Sequence, residues 1–138
     1  MGIFDKLVGN KVSSITPQTG LLLAAITMIA IDGDVDDDEL AILRRLDRDS
    51  SSGAFEKAFK VWKSQTIEEC VRLVVSATNT EQQQTIIANL IDIAMADGVL
   101  LGKEKNLLEK YVSSFTVNSS VIEKIIDVVS IKNNSSIF

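Results

Sequence analysis

Two Asp–Gly turns of this sequence carry carboxylates whose oxygens would suit a metal ion, and the first turn is loaded with acids whereas the second is not. The first turn opens at Asp32-Gly33 and the second at Asp97-Gly98, and in each a glutamate follows the aspartate by seven positions. The candidate metal ligands are Asp32, Asp34, Asp36, Glu39, Asp97 and Glu104. Carboxylate oxygens favour hard cations, so the sequence predicts Ca²⁺ or Mg²⁺ as the cofactor to test.

The same acids can also be explained as local helix structure without any ligand. Gly33 suits the left-handed end of a helix, and Asp36 with Glu39 has the spacing of a capping box. Asp32 and Asp97 fit less well, because each closes a helix where the dipole makes a carboxylate unfavourable by about 0.3–1 kcal/mol. A hydrogen-bonded turn, a basic partner and a bound cation would each relieve that cost, and all three interpretations stay open.

The composition excludes several other kinds of site. The chain has no His and only Cys70, which rules out His-ligated zinc, thiolate zinc and His-based catalysis. A net charge of −5 argues against a nucleic-acid partner. An EF-hand loop that starts at Asp32 would need Gly at its sixth position and Glu at its twelfth. The sequence has Asp37 and Leu43 at these positions, so the first turn is not an EF-hand. With no cofactor motif or nucleophile–base pair to be found, we expect a protein that is not an enzyme.

Helical periodicity runs through the whole chain, so the fold class is predicted to be all-α. The sequence predicts one domain over residues 1–138, a bundle of about seven to eight short helices. Thr16-Pro17 marks the start of a helix that is apolar from Leu21 to Ile31 and should be enclosed. Thr66, Thr80 and Ser120 are predicted to cap later helices. The last helix is expected to bury Val121, Ile122, Ile125, Val128 and Val129, and the stripe of Phe55, Phe59 and Trp62 is expected to pack in the core.

The two ends of the chain carry separate predictions. Residues 1–12 can form a short amphipathic helix with Ile3, Phe4, Leu7 and Val8 on one side. That segment is interpreted either as docking on the bundle or as touching a membrane surface. Residues 132–138 are expected to be a frayed tail. No stretch reads as a signal peptide or a membrane span, so the expected compartment is the cytoplasm.

An internal repeat relates the two acidic turns. Asp32 and Asp97 are 65 residues apart. When the sequence is aligned with itself at this offset, Ile26 aligns with Ile91 and Leu43 aligns with Leu108. Each copy therefore consists of an enclosed helix, an Asp–Gly turn and a capped amphipathic helix. We expect the two enclosed helices to pack on each other and the two turns to share one end of the bundle.

The repeated motif resembles the TerB (tellurite-resistance) family and its relatives. The resemblance is carried by Ile-Ala-Ile-Asp-Gly-Asp-Val-Asp-Asp-Asp-Glu-Leu and by Ile-Ala-Met-Ala-Asp-Gly-Val-Leu-Leu-Gly-Lys-Glu, and covers about residues 17–130. It implies an all-helical, non-enzymatic bacterial protein of the stress response, with metal-ligand positions at Asp32, Glu39, Asp97 and Glu104. It also implies a protein partner that works near membranes. The second motif departs from the family pattern at Val99–Lys103, which argues against two equal metal sites.

Three function classes follow from these features. The first is a stress-response adaptor whose acidic end binds a divalent cation or a basic partner. The second is a membrane-peripheral protein held by the amphipathic segment. The third is an enzyme that uses paired carboxylates as acid and base, and it is disfavoured because no polar site around them can be found in the sequence.

Overall fold

A computed structural model describes residues 12, 14–33, 35–96 and 102–138. This part of the chain forms seven α-helices and no strand, which confirms the all-α prediction. In chain order they are α1 (Pro17–Ile29), α2 (Asp37–Leu46), α3 (Ala54–Ser64), α4 (Ile67–Ala77), α5 (Thr80–Met95), α6 (Gly102–Ser114) and α7 (Ser119–Lys132). The amphipathic segment predicted at residues 1–12 lies outside the described residues except for Val12, which is half-buried against the core.

Helix α1 is the central element, and the sequence explains both its start and its position. The Thr16 side chain accepts a hydrogen bond from the Thr19 N–H (3.2 Å), and Pro17 fills the first helical position, where no backbone donor is needed. Every residue from 22 to 30 is buried. The helix contacts α2, α3, α4, α5 and α6, so the prediction of an enclosed helix is confirmed.

The repeat seen in the sequence corresponds to two helical hairpins that share a hydrogen-bonding device. Helix α1 packs on α5, as predicted, and their first turns lie side by side around one shallow pocket. Gln18 in α1 donates to the carbonyl of Leu46 at the end of α2 (3.4 Å). Gln83, its counterpart at the offset of 65, accepts from the Thr116 N–H just beyond α6 (2.9 Å). In each copy a glutamine near the start of the first helix thus holds the end of the second.

A buried hydrogen bond fixes α6 against α1. The hydroxyl groups of Thr27 and Tyr111 lie 2.7 Å apart, and Thr27 also donates to the carbonyl of Ala24 (2.7 Å). Both side chains are fully buried, and this burial raises the pKa of Tyr111. Both hydroxyl groups are hydrogen-bonded, so their burial in the core avoids the free-energy cost of an unpaired polar group.

Two of the predicted helix caps are wrong in position. The N-cap of α5 is Asn79, whose side chain accepts from the Gln82 N–H (2.8 Å), while Thr80 bonds instead with the Thr116 hydroxyl. The N-cap of α7 is Asn118, and Ser120 is a donor to it rather than the cap. In both cases an Asn one or two positions earlier supplies a carbonyl oxygen that takes the cap role. The predicted cap at Thr66 is confirmed.

Helix α7 departs from its predicted burial. It packs mainly on α5, and Val129 is buried as expected. Val128 was also expected to be buried but is exposed. The tail also begins later than predicted, because Lys132 still belongs to α7 and Asn133 is its C-cap. By contrast, the aromatic stripe on α3 packs against the core as expected.

Candidate functional site

The first Asp–Gly turn is built by the end of α1. Its α-helical bonding gives way to a 3-10 turn over Ala30–Asp32, and Gly33 follows in the left-handed region with φ of 96°. The Gly33 N–H donates to the Ala30 carbonyl (2.9 Å). A residue with a Cβ would be strained at this φ, so the predicted role of Gly33 as a helix terminator is confirmed.

A capping box opens α2 as the sequence predicted. The Glu39 N–H donates to Asp36 Oδ1 (2.8 Å), and the Asp36 N–H donates to Glu39 Oε1 (3.2 Å). Asp37 and Asp38 complete the first turn of the helix, and the side chains of Asp36, Asp37 and Asp38 are exposed. We refer to these three exposed aspartates as the acidic end. Their charges are favourable there because the start of a helix is the positive end of its dipole.

Three of the six candidate ligands can be placed with their side chains. Asp36 and Glu39 lie together in the capping box, and Glu104 is half-buried in the first turn of α6. Asp34, Asp97 and the side chain of Asp32 lie outside the described residues. The 3-10 turn that ends at Asp32 contacts α6 of the second hairpin. The expectation that the two acidic turns share one end of the bundle stays a prediction, because residues 97–101 lie outside the described residues.

The described part of the chain does not by itself make a cation site. Within it no three Asp, Glu, Cys or His side chains are grouped closely enough to hold a metal ion. Asp36 and Glu39 each already use an oxygen to accept a backbone N–H. A site for Ca²⁺ or Mg²⁺ would therefore have to draw on the ligand positions that are not described.

An acidic residue that the sequence analysis overlooked fastens α7 to α5. Asp92 Oδ1 accepts from Lys132 Nζ (3.1 Å) and from Asn133 Nδ2 (2.9 Å). Partial burial acts to raise the pKa of Asp92, but the bonds from Asn133 and Lys132 and the charges of Lys132 and Arg45 outweigh it and lower the pKa. The only signal in the sequence is that Asp92 interrupts the apolar run of α5.

A groove between α4 and α6 was also not predicted. It has a volume of about 470 Å³, with Val71 and Val75 among its lining residues and an ion pair between Lys110 and Glu68 (2.8 Å) at its edge. The hydrogen bond from Lys110 lowers the pKa of Glu68. Cys70 does not line the groove and is fully buried, and burial raises the pKa of this thiol to about 11. Cys70 is therefore a packing residue, as predicted.

Comparison with known families identifies the family of this chain. The model of the family described as "Tellurite resistance protein TerB" matches residues 18–127, which span α1 to most of α7. Neither the curated proteins nor the solved structures include a match to this chain. None of the helices in the described residues is long and apolar enough to cross a membrane.

Proposed function

Since the chain belongs to the TerB family, we propose that it is a non-enzymatic adaptor of the stress response whose acidic end docks a basic protein partner. The observation that supports this proposal is the row of Asp36, Asp37 and Asp38, exposed at the start of α2. Three adjacent carboxylates at the start of one helix concentrate negative charge, which favours Lys- or Arg-rich segments and speeds their association.

The proposed partner is a protein and not a nucleic acid. The chain carries a net charge of −5, so phosphate backbones are repelled and basic peptides are attracted. The adaptor is proposed to act in the cytoplasm, and tellurite is the stress that its family suggests.

A divalent cation is the second candidate for the acidic end. The observation that favours it is that the 3-10 turn continuing α1 ends at Asp32, because the negative end of the helix dipole there attracts positive charge. Ca²⁺ and Mg²⁺ are the ions of choice for carboxylate and carbonyl oxygens. The basic partner is preferred because Asp36 already serves as an N-cap and, among the described residues, no three acids are arranged so that they could hold a metal ion.

Amide NMR of the full chain separates the two candidates. We expect an oligo-arginine peptide to shift the amides of residues 35–40, and the double variant Asp37→Asn/Asp38→Asn to bind it about tenfold more weakly. The matched control is Glu81→Gln/Glu109→Gln, which removes the same charge from exposed sites on α5 and α6. Equal affinity for both double variants would contradict the proposed docking site.

A parallel titration with millimolar CaCl₂ or MgCl₂ tests the cation. If residues 35–40 and 97–104 shift with the metal and the arginine peptide leaves them unchanged, the second candidate replaces the first. If neither probe moves these amides, the acidic end has only the structural role of starting α2.

A further inference from the structure

The groove between α4 and α6 is lined by one face of each of these two helices. Its α4 residues are Glu68, Val71, Arg72, Val75 and Ser76, which recur at the spacing of one helix face over two turns. The α6 side contributes residues 110, 113 and 114 at the same kind of spacing. Two helix faces that flank an apolar floor form a groove into which a third, amphipathic helix can pack.

The edge of this groove is locally basic in an acidic protein. Arg72 and Lys110 provide two cations, and Glu68 provides one carboxylate that Lys110 already binds. Val71 is buried at the floor and Val75 is half-buried beside it. The groove therefore favours a helix with an apolar stripe and an excess of carboxylates beside it.

A helix of that kind is present in this chain as α7. Val128 is 64% exposed and Ile131 is 76% exposed, on the side of α7 that does not pack on α5. Lys124 lies on the same stripe, four positions before Val128, and Asp127 lies beside it. With Glu123 the outward side of α7 carries two carboxylates and one ammonium group, all exposed. We call this surface the α7 stripe.

We propose that the α7 stripe of one copy of this chain docks in the α4–α6 groove of a second copy. The apolar pair Val128 and Ile131 would cover Val75 and the small exposed part of Val71, which removes exposed apolar surface from water on both sides. The charges are complementary, since two cations and one carboxylate at the groove meet two carboxylates and one cation on the stripe.

The association is of the head-to-tail kind, because the groove and the stripe are different surfaces of one molecule. Each copy that docks its stripe still offers a groove until a ring closes, so assemblies larger than a dimer form as the concentration rises. The acidic end at the start of α2 takes no part in the contact. The inference therefore does not depend on the function proposed above, and the two can fail separately.

Charge reversal on each surface tests this interface. Sedimentation velocity is measured from about 10 μM to about 1 mM, the range in which a small interface associates. We expect the unmodified chain to associate, and Arg72→Glu and Asp127→Lys each to weaken association at least about tenfold by placing like charges across the contact. Both positions are exposed, and circular dichroism checks that each variant is folded.

Mixing the two variants provides the decisive arm. In an equimolar mixture, the groove of the Arg72→Glu variant can bind the stripe of the Asp127→Lys variant, because both charges are reversed. The unmodified groove of the second variant can bind the unmodified stripe of the first, so association is restored. Lys57→Glu, an exposed charge reversal on α3, is the control that should associate normally. A chain that stays monomeric throughout, reversals without effect, or a mixture that is not restored would each overturn the proposal.

Discussion

The two hairpins of the repeat differ in the charge of the helix start that follows each Asp–Gly turn. In the first hairpin, Asp36, Asp37 and Asp38 are exposed at the start of α2. In the second, Glu104 stands between the exposed lysines Lys103 and Lys105 at the start of α6. The same backbone plan thus supports an acidic helix start in one copy and a helix start of mixed charge in the other.

The features that the two hairpins share lie inside the bundle. Leu22 and Ile87 occupy equivalent positions and are both fully buried. Gln18 and Gln83 are also equivalent, and each holds the end of the next helix. The comparison teaches that the repeat preserves packing and hairpin closure, while the solvent-facing positions are free to differ in charge.

The strongest test of this equivalence is to truncate the shared core positions. Leu22→Ala and Ile87→Ala are each expected to destabilise the protein by about 2–5 kcal/mol, because each leaves a cavity in a closely packed core. Urea unfolding measures both, with Ile131→Ala at an exposed site as the control. A loss below about 1 kcal/mol for either variant would show that the two enclosed helices do not contribute equally to one core.

The two equivalent glutamines should contribute differently to stability, because Gln83 is buried more deeply than Gln18. Gln83 is only 3% exposed and bonds with Thr78 and Thr116, so Gln83→Ala is expected to cost about 1–3 kcal/mol. Gln18 is half-buried and makes a longer bond, so Gln18→Ala is expected to cost less than about 1 kcal/mol. Thermal unfolding is the measurement, and Gln84→Ala is the neighbouring control. Equal losses for Gln18 and Gln83 would contradict the importance of burial.

The capping box of the first hairpin should stabilise the fold by more than the charge of its aspartate alone. Asp36→Ala removes the N-cap of α2 and is expected to cost about 1 kcal/mol. Asp37→Ala removes the same charge from the same turn without touching the cap, and about 0.3–1 kcal/mol is expected from the helix dipole alone. Urea unfolding of both variants at low and high salt measures the difference. If the two variants lose equally, the cap adds nothing to the dipole.

Local features of the fold could be predicted from the sequence, whereas contacts distant in sequence could not. Thr16, Gly33 and Asp36 have the predicted roles because each acts on backbone within three positions of itself. Asn79 was missed because two neighbouring polar residues compete for one cap, and only the chain geometry decides between them. The exposure of Val128 was missed because helical periodicity gives the apolar face of a helix but not how much of that face a neighbour covers.

The same distinction applies to the candidate site. The capping box of Asp36 and Glu39 is local and was predicted, and the groove between α4 and α6 is not local and was missed. Lys110 and Glu68 are 42 positions apart in the chain, so nothing in their sequence neighbourhoods indicates that they pair. The charge excess of the acidic end, by contrast, needed no tertiary information.

Asp92 gives the smallest expected effect and tests how the two hairpins differ near α7. Its counterpart in the first hairpin is Thr27, which bonds with Tyr111 in the core, whereas Asp92 bonds with Lys132 and Asn133 near the surface. Because the pKa of Asp92 is lowered in the folded protein, its stabilising contribution is present above the usual carboxyl pKa. It is lost as the pH falls below about 4 through the lowered value.

The comparison of Asp92→Asn with the unmodified protein isolates this contribution. We expect the variant to be less stable by about 1 kcal/mol or less at neutral pH, since a partly exposed ion pair is screened by water. The difference should shrink as the pH falls below about 4 and through the lowered pKa of Asp92. Thr27→Val, measured by urea unfolding at the same pH values, should show a constant loss, because a hydroxyl does not titrate there. A pH-independent loss for Asp92→Asn would mean that shape, and not charge, holds α7 to α5.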